Sequence, residues 1–154
     1  MILIEKSARR LTLLDANGNR LFSCSVQLGR APFGAKMREG DGRTPEGRYR
    51  VCSVNRESKF HAALGINYPN RFDAGRARKE KRISAFDCLR ITLADRLSIR
   101  PPWKTPLGGY IMLHGESPEG KTGDWTAGCV AMANADIDRL ISLSSKKELV
   151  EIRS

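Results

Sequence analysis

Two short segments of the sequence hold the residue types that nucleophilic catalysis requires. The first is residues 113–115 (Leu-His-Gly), and the second is residues 124–130 (Asp-Trp-Thr-Ala-Gly-Cys-Val). A cysteine attacks as its thiolate and needs a base nearby, and His114 is the natural base for Cys129. A glycine before a nucleophile permits a tight turn whose N–H groups face the substrate. We therefore expect the N–H groups of Gly128 and Cys129 to stabilise an oxyanion.

The remaining cysteines and histidines indicate packing rather than chemistry. Cys24, Cys52 and Cys88 lie inside strand-like runs, where a thiol usually packs as a small apolar side chain. No Cys-x-x-Cys pair is present, and His61 and His114 are the only histidines, so no structural zinc site is expected. His61 has no cysteine near it in sequence, and we expect it to be an exposed or capped residue of a short helix.

Apolar runs separated by turn residues predict a strand-rich chain with a few short helices. The predicted strands cover residues 2–4, 11–14, 21–28, 49–54, 89–93, 110–113, 130–132 and 149–152. The predicted helices cover residues 59–64, 74–81 with Asp73 as N-cap, and 134–143 with Asn134 as the cap. Residues 29–47 are rich in Gly, Pro and charge and predict a surface loop. Together these elements predict one mostly β domain over residues 1–154.

The two chemical segments resemble the signature of the L,D-transpeptidase catalytic domain, the YkuD-like family. The family pattern is His-Gly, a spacer, then Ser or Thr, any residue, Gly and Cys. This chain has His114-Gly115 and Thr126-Ala127-Gly128-Cys129, and its residues 44–49 are similar to the family's Thr-Pro-x-Gly-x-Tyr segment. The resemblance covers nearly the whole chain. It implies a mainly β L,D-transpeptidase fold, a β-sandwich with mixed sheets and a few short helices.

The resemblance also implies a cysteine acyltransferase that acts on peptidoglycan stem peptides without a metal or other cofactor. Cys129 would attack the carbonyl of the diamino acid at stem position three, and D-alanine would leave with a proton from His114. An amine would then take the acyl group from the thioester. In the family, a backbone carbonyl just after the histidine orients the imidazole, which here corresponds to Gly115. The implied oxyanion donors are the N–H groups of Gly128, Cys129 and Ala127.

Two positions depart from the common family pattern. Many members carry His or Ser before Gly-Cys, where this chain has Ala127, and many carry Arg two residues after Cys, where it has Ala131. The Asp-Trp-Thr-x-Gly-Cys-x-Ala form resembles a distinct branch. A hydrolase that uses water as the acceptor, an L,D-carboxypeptidase or endopeptidase, is therefore the alternative among enzymes. The candidate substrate contacts are Trp125, Thr126, Arg43 and Tyr110.

The chain is strongly basic, with 27 Lys and Arg against 17 Asp and Glu and a formal net charge of +10. That balance favours an anionic partner such as the cell-wall polymer. One basic cluster could steer such a partner toward the protein, or it could be an ordinary solvated helix face. It comprises Arg71, Arg76, Arg78, Lys79, Lys81 and Arg82. Nucleic-acid binding is a competing interpretation, but aromatic residues make up 6% and no RNA or DNA motif appears, so no nucleic-acid partner is expected. A non-catalytic peptidoglycan-binding module is a third interpretation.

The sequence bears on location in two ways. No apolar run approaches the ~18–20 residues that span a bilayer, so no transmembrane segment is expected. Residues 1–6 become charged too early for a signal peptide, which predicts either the cytoplasm or a signal that has been removed. Because the family that the chain resembles works outside the cytoplasmic membrane, we expect the periplasm or cell envelope.

Overall fold

The computed structural model describes residues 1–145 and 147–154 and contains eight strands and three short helices. The strands are β1 (Ile2–Glu5), β2 (Arg10–Leu14), β3 (Arg20–Ser25), β4 (Gly47–Ser58), β5 (His61–Ile66), β6 (Met112–His114), β7 (Val130–Ala131) and β8 (Leu149–Arg153). The helices are α1 (Arg71–Lys79), α2 (Ala85–Arg96) and α3 (Asn134–Leu143). The mainly β fold class predicted from the sequence is confirmed.

The eight strands form one curled, mixed sheet in the order β3-β2-β1-β8-β4-β5-β6-β7. β1 pairs with β8 and β6 pairs with β7 in parallel, whereas the other neighbouring strands are antiparallel. The long strand β4 joins the two halves, because its first residues pair with β8 and its later residues pair with β5. The strands β6 and β7, which adjoin the two chemical segments, lie at one edge of this sheet.

The main hydrophobic core forms because alternate strand residues point to one face of the sheet. Helix α3 covers this face, so both strand and helix side chains enter the core. Its members include Ile2, Ile4, Leu11, Leu13, Tyr49, Val51, Leu64, Ile66, Leu113, Val130, Ile137, Leu140, Val150 and Ile152. The alternation leaves the chain neighbours of Leu113 and Val130 on the opposite face.

Helices α1 and α2 pack on each other around a second, smaller core. α1 begins with a capping box: Asn70 accepts the Phe72 and Asp73 N–H groups, and the Asp73 carboxylate accepts the Asn70 N–H at 3.0 Å. The predicted N-cap Asp73 is therefore wrong, because Asn70 caps the helix and Asp73 completes the box. None of the described helices is both long and apolar enough to cross a bilayer.

Two predicted elements have a different conformation. Residues 89–93, predicted as a strand, lie inside α2, whose first turn is capped by the Ser84 hydroxyl. Residues 59–64, predicted as a helix, form a turn and the start of β5. His61 is exposed as predicted, but it begins a strand, and its Nε2 lies 2.7 Å from Asp138 Oδ2.

The four cysteine thiols are free, and three of them lie away from the second chemical segment. Cys24 packs against the main core and Cys88 against the smaller one, in agreement with the packing role predicted for both. Cys88 lies on a helix rather than on the predicted strand.

The predicted cap of α3 is wrong. Asn134 is the first residue of α3 and does not cap it, since its Oδ1 accepts the Glu116 N–H at 2.9 Å.

Candidate active site

The parallel pairing of β6 and β7 brings His114 and Cys129 to the same face of the sheet. Leu113 lies opposite Val130, and both side chains enter the core, so the residues beside them point to the other face. His114 directly follows Leu113, and Cys129 directly precedes Val130. Strand spacing puts their Cα atoms roughly 8 Å apart, a separation that the two side chains can bridge.

The Cys129 thiol is half-buried and hydrogen-bonded to backbone on two sides. Its Sγ accepts the Met112 N–H at 3.4 Å and donates to the Tyr110 carbonyl at 3.4 Å. Burial raises the pKa of the Cys129 thiol, while the Met112 N–H and the positive charge of Lys36 oppose that shift. The resting Cys129 side chain is therefore a neutral thiol, which needs a base to become reactive.

One hydrogen bond and two aromatic contacts hold the His114 ring. Its Nδ1 lies 2.7 Å from the Gly115 carbonyl oxygen, and because a carbonyl only accepts, Nδ1 carries the proton and Nε2 has the free lone pair. The Phe60 ring stacks on the imidazole with centroids 4.4 Å apart, and Trp125 packs against it at 5.6 Å. Burial lowers the pKa of His114, and the hydrogen bond to Gly115 opposes that shift. At neutral pH the ring is therefore an uncharged base.

Asp124 fixes the start of the segment that leads to the nucleophile. Its carboxylate accepts hydrogen bonds from the Arg9 guanidinium, the shortest at 2.6 Å, and from the Leu28 N–H at 2.9 Å. The next residue, Trp125, donates its Nε1–H to Gln27 Oε1 at 2.6 Å. These contacts tie the segment to the N-terminal part of the chain and set the Trp125 ring beside the His114 imidazole. Trp125 thus forms a wall of the site.

Thr126 closes the turn before Cys129 rather than facing a substrate. The residue is 3% exposed, and its hydroxyl donates to the Cys129 carbonyl at 2.7 Å and accepts the Gly128 N–H at 3.1 Å. The structure therefore does not support the expected substrate contact of Thr126. The Gly128 N–H, one of the three expected oxyanion donors, is therefore already hydrogen-bonded. The N–H groups of the other two, Ala127 and Cys129, meet no acceptor among the described residues.

The loop at residues 29–47 lies against this turn through its backbone. Gly128 has a φ of 131°, and a Cβ at this position would lie 2.6 Å from the Arg43 carbonyl oxygen. Only glycine fits both the conformation and the close approach. The Arg43 guanidinium lies beside Gly34. Arg43 therefore contacts the turn through its backbone carbonyl, and its side chain, which was the expected substrate contact, points to Gly34 instead.

Tyr110 borders the thiol on the side opposite the turn. Its backbone is left-handed, with a φ of 56°, and this conformation accompanies the approach of its carbonyl to Cys129 Sγ. The exposed Tyr110 ring packs on Trp103 with centroids 4.5 Å apart. The Tyr110 ring is therefore exposed while its backbone contacts the thiol, and a substrate contact of this ring stays a prediction.

Two buried lysines that support the site were missed by sequence reasoning. Lys6 pairs with Glu46 at 2.8 Å and also donates to two carbonyls of the loop at residues 29–47. Lys36 pairs with Asp41 at 2.9 Å, and its charge acts on the Cys129 thiol. In the sequence both are ordinary charged residues, and only the folded loop reveals their burial. The one sequence signal was the place of Lys36 in a Gly-rich loop, close to the Thr-Pro-Glu-Gly block at residues 44–47.

The arrangement provides the components of covalent acyl transfer. It combines a thiol, a neutral imidazole with a free Nε2, and unengaged backbone N–H groups next to the nucleophile. Such groups supply the nucleophile, the general base and the oxyanion donors of cysteine-dependent acyl chemistry. Among residues 1–145 and 147–154, no three His, Cys, Asp or Glu side chains form a group that could hold a metal ion.

Comparison with known proteins identifies a family and several structural relatives. The family described as the YkuD L,D-transpeptidase catalytic domain matches residues 1–152. YafK of Escherichia coli is 26% identical over 110 residues, which are 70% of this chain and 30% of YafK. Among solved structures, the helical cell shape determining protein Pgp2 of Campylobacter jejuni superposes with a TM-score of 0.71 at 21% identity. Bd1075 of Bdellovibrio bacteriovorus superposes with a TM-score of 0.63 at 23% identity.

These relatives are longer than this chain. Both structural matches cover 99% of the chain, but only 46% of Pgp2 and 47% of Bd1075. The chain therefore spans about half of each solved relative and under a third of YafK. At these identities, the two structures establish a shared fold.

Proposed function

Because this chain belongs to the L,D-transpeptidase catalytic domain family, we propose that it is a single catalytic domain for cysteine-dependent acyl transfer on peptidoglycan stem peptides. The observation that carries the proposal is the hydrogen bond from His114 Nδ1 to the Gly115 carbonyl. This bond leaves Nε2 as a base on the sheet face that Cys129 shares. The place of action in this proposal is the cell envelope, where the polymer lies.

The first half of the proposed reaction forms a thioester. His114 Nε2 takes the proton of the Cys129 thiol as Sγ attacks the carbonyl of the diamino acid at stem position three. The N–H groups of Cys129 and Ala127 stabilise the oxyanion of the tetrahedral intermediate. The intermediate then expels the amine of D-alanine, which receives its proton from the imidazolium of His114. One amide bond breaks and one thioester bond forms.

The second half returns the enzyme to its resting state. The acceptor amine attacks the thioester carbonyl and loses a proton to His114 Nε2, and the Cys129 thiolate leaves and regains a proton from the imidazolium. A neutral histidine is the form that this step requires. The lowered pKa of His114, which burial causes, supplies it at neutral pH. Trp125 and the exposed ring of Tyr110 form the walls between which the stem peptide enters.

The test is mass spectrometry of the products formed from disaccharide tetrapeptide. The parent chain is compared with Cys129→Ala, with His114→Gln and with Cys24→Ala, which removes a half-buried thiol that packs on the main core. We expect cross-linked dimers and released D-alanine with the parent and with Cys24→Ala. Neither product is expected with the other two variants.

Each departure from that result has a defined meaning. Tripeptide without dimers would show that water is the acceptor and that the enzyme is a carboxypeptidase. Full activity of Cys129→Ala would overturn the nucleophile assignment. An inactive parent whose Cys129 also resists alkylation would identify a non-catalytic binding domain and overturn the proposed reaction.

A further inference from the structure

Helix α2 presents apolar side chains on both of its sides. Its inner side packs Ile91 and Cys88 into the smaller core that it shares with α1. Its outer side carries a second apolar row of Phe86, Leu89, Leu93 and Leu97, which are 47–67% exposed. At about 100° per residue, these spacings of three, four and four residues place the row along one stripe. A stripe of this kind on a solvated helix indicates a binding surface.

Arginines flank the stripe on both sides. Arg90 and Arg96 are exposed and lie on its two sides, and Arg100 continues it beyond the helix. Residues 71–100 contain nine Lys and Arg against four Asp and Glu, a net charge of +5 that is half of the chain's +10. The two acidic residues of α2 are half-buried and paired: Asp87 lies 3.8 Å from the flanking Arg90, and Asp95 lies 3.6 Å from Arg71. The exposed face is therefore apolar and basic, with no free carboxylate on α2.

We infer that the outer face of α2 docks on an anionic lipid surface, with the helix lying in the plane of the membrane interface. Phe and Leu side chains flanked by arginines are the groups through which a helix surface binds such interfaces, and the inner side of α2 is packed on the protein itself. The leucines enter the boundary of the acyl chains, and the arginines meet the phosphate groups. The helix is too short and too polar to span a bilayer, so it lies on the surface.

The charge pattern favours lipid over two other occupants. A second copy of this chain would bring arginines against arginines, because the α2 face offers no free carboxylate to pair with them. A nucleic acid would satisfy the arginines and leave the four apolar side chains without a partner. An anionic bilayer satisfies both parts of the surface.

The docking surface continues toward the active site. The Arg100 guanidinium lies 4.9 Å from the centre of the Trp103 ring, and Trp103 packs on Tyr110 at 4.5 Å. The Tyr110 carbonyl in turn accepts the Cys129 thiol at 3.4 Å. A chain docked through α2 would thus hold its reactive thiol near the membrane surface and not out in the polymer layer.

The test is flotation of the full chain with phosphatidylcholine vesicles, with and without phosphatidylglycerol, at low and high salt. We expect binding that requires phosphatidylglycerol and weakens with salt. The double variant Leu89→Gln/Leu93→Gln is expected to bind about tenfold or more weakly. Its matched control is Leu21→Gln/Leu143→Gln, which changes leucines that are 48% and 45% exposed on other surfaces and is expected to bind as the parent does.

A second variant separates charge from apolar contact. Arg90→Gln/Arg96→Gln is expected to lose the preference for phosphatidylglycerol. All three variants change exposed side chains, so each should unfold at the same temperature as the parent and keep its thiol reactivity. Absence of vesicle binding by the parent, or equal loss in both leucine double variants, would overturn the proposal while leaving the catalytic assignment unaffected.

Discussion

The turn that presents Cys129 depends on the buried Thr126 hydroxyl, and the removal of this hydroxyl is the sharpest test of the site's architecture. Thr126→Val keeps the shape of the side chain and removes the acceptor of the Gly128 N–H and the donor to the Cys129 carbonyl. Each unpaired buried group costs about 1–3 kcal/mol, and the turn is only partly buried. The free energy of unfolding is therefore expected to fall by about 2–4 kcal/mol. For a chain of this size, that corresponds to a fall in Tm of roughly 4–16 °C.

The same substitution should change the reactivity of Cys129. When the Cys129 carbonyl loses its hydrogen bond, the turn loses the geometry that sets Cys129 Sγ between the Met112 N–H and the Tyr110 carbonyl. We expect thioester formation to slow by about tenfold or more. The assays are thermal unfolding and the rate of Cys129 acylation, followed by mass spectrometry of the peptide that contains it.

The matched control is Thr126→Ser, which keeps the hydroxyl and loses one methyl group. It should cost about 1 kcal/mol and retain most of the acylation rate. If the valine and serine variants lost the same stability and reactivity, packing rather than hydrogen bonding would hold the turn. A valine variant as stable and reactive as the parent would refute the reasoning outright.

Three further predictions rest on charge. Lys36→Met removes a positive charge that opposes the raised pKa of Cys129, so alkylation of this thiol should need a higher pH. An unchanged midpoint of the pH profile would show that the charge of Lys36 does not act on the thiol. Burial lowers the pKa of His114, so the acid limb of kcat/KM should lie below pH 6.5, and a limb above that value would mean that another group is titrating. Burial raises the pKa of Asp73 to about 6, so the folded chain should lose on the order of 2 kcal/mol as pH rises from about 4 to about 6. Asp73→Asn should flatten that slope in urea unfolding, and an unchanged slope would reject Asp73 as its source.

The chemical centre could be predicted from the sequence because local signals specify it. His114 ends an apolar run, and the turn before Cys129 contains the glycine that a left-handed conformation and a close backbone approach require. The contacts around the centre come from distant parts of the chain and could not be predicted. Phe60, stacked on the imidazole, has no sequence pattern that distinguishes it from other residues. Lys36 is distinguished only by its place in the Gly-rich loop, which does not predict that its charge acts on the thiol.

The errors in secondary structure have a common physical cause. β5 is buried on both faces from Ala62 to Ile66, so these residues lack the alternation of apolar and polar side chains that is typical of a half-buried strand. α2 has apolar side chains on opposite sides, so residues 89–93 lack the period of an amphipathic helix. Periodicity predicts an element only when its apolar residues lie on one side, and both of these elements carry apolar residues on two sides.

The position of β8 in the sheet has a consequence for how the chain folds. β8 follows every other strand in the sequence, yet it lies between β1 and β4 and pairs in parallel with β1, nearly the whole chain away. Until β8 has been synthesised, the β1–β3 meander and the β4–β7 half have no strand between them, and each keeps an open hydrogen-bonding edge. Contacts of such long sequence separation slow folding and expose edges to aggregation. The edges of β1 and β4 therefore stay unpaired until β8 joins the two halves of the sheet.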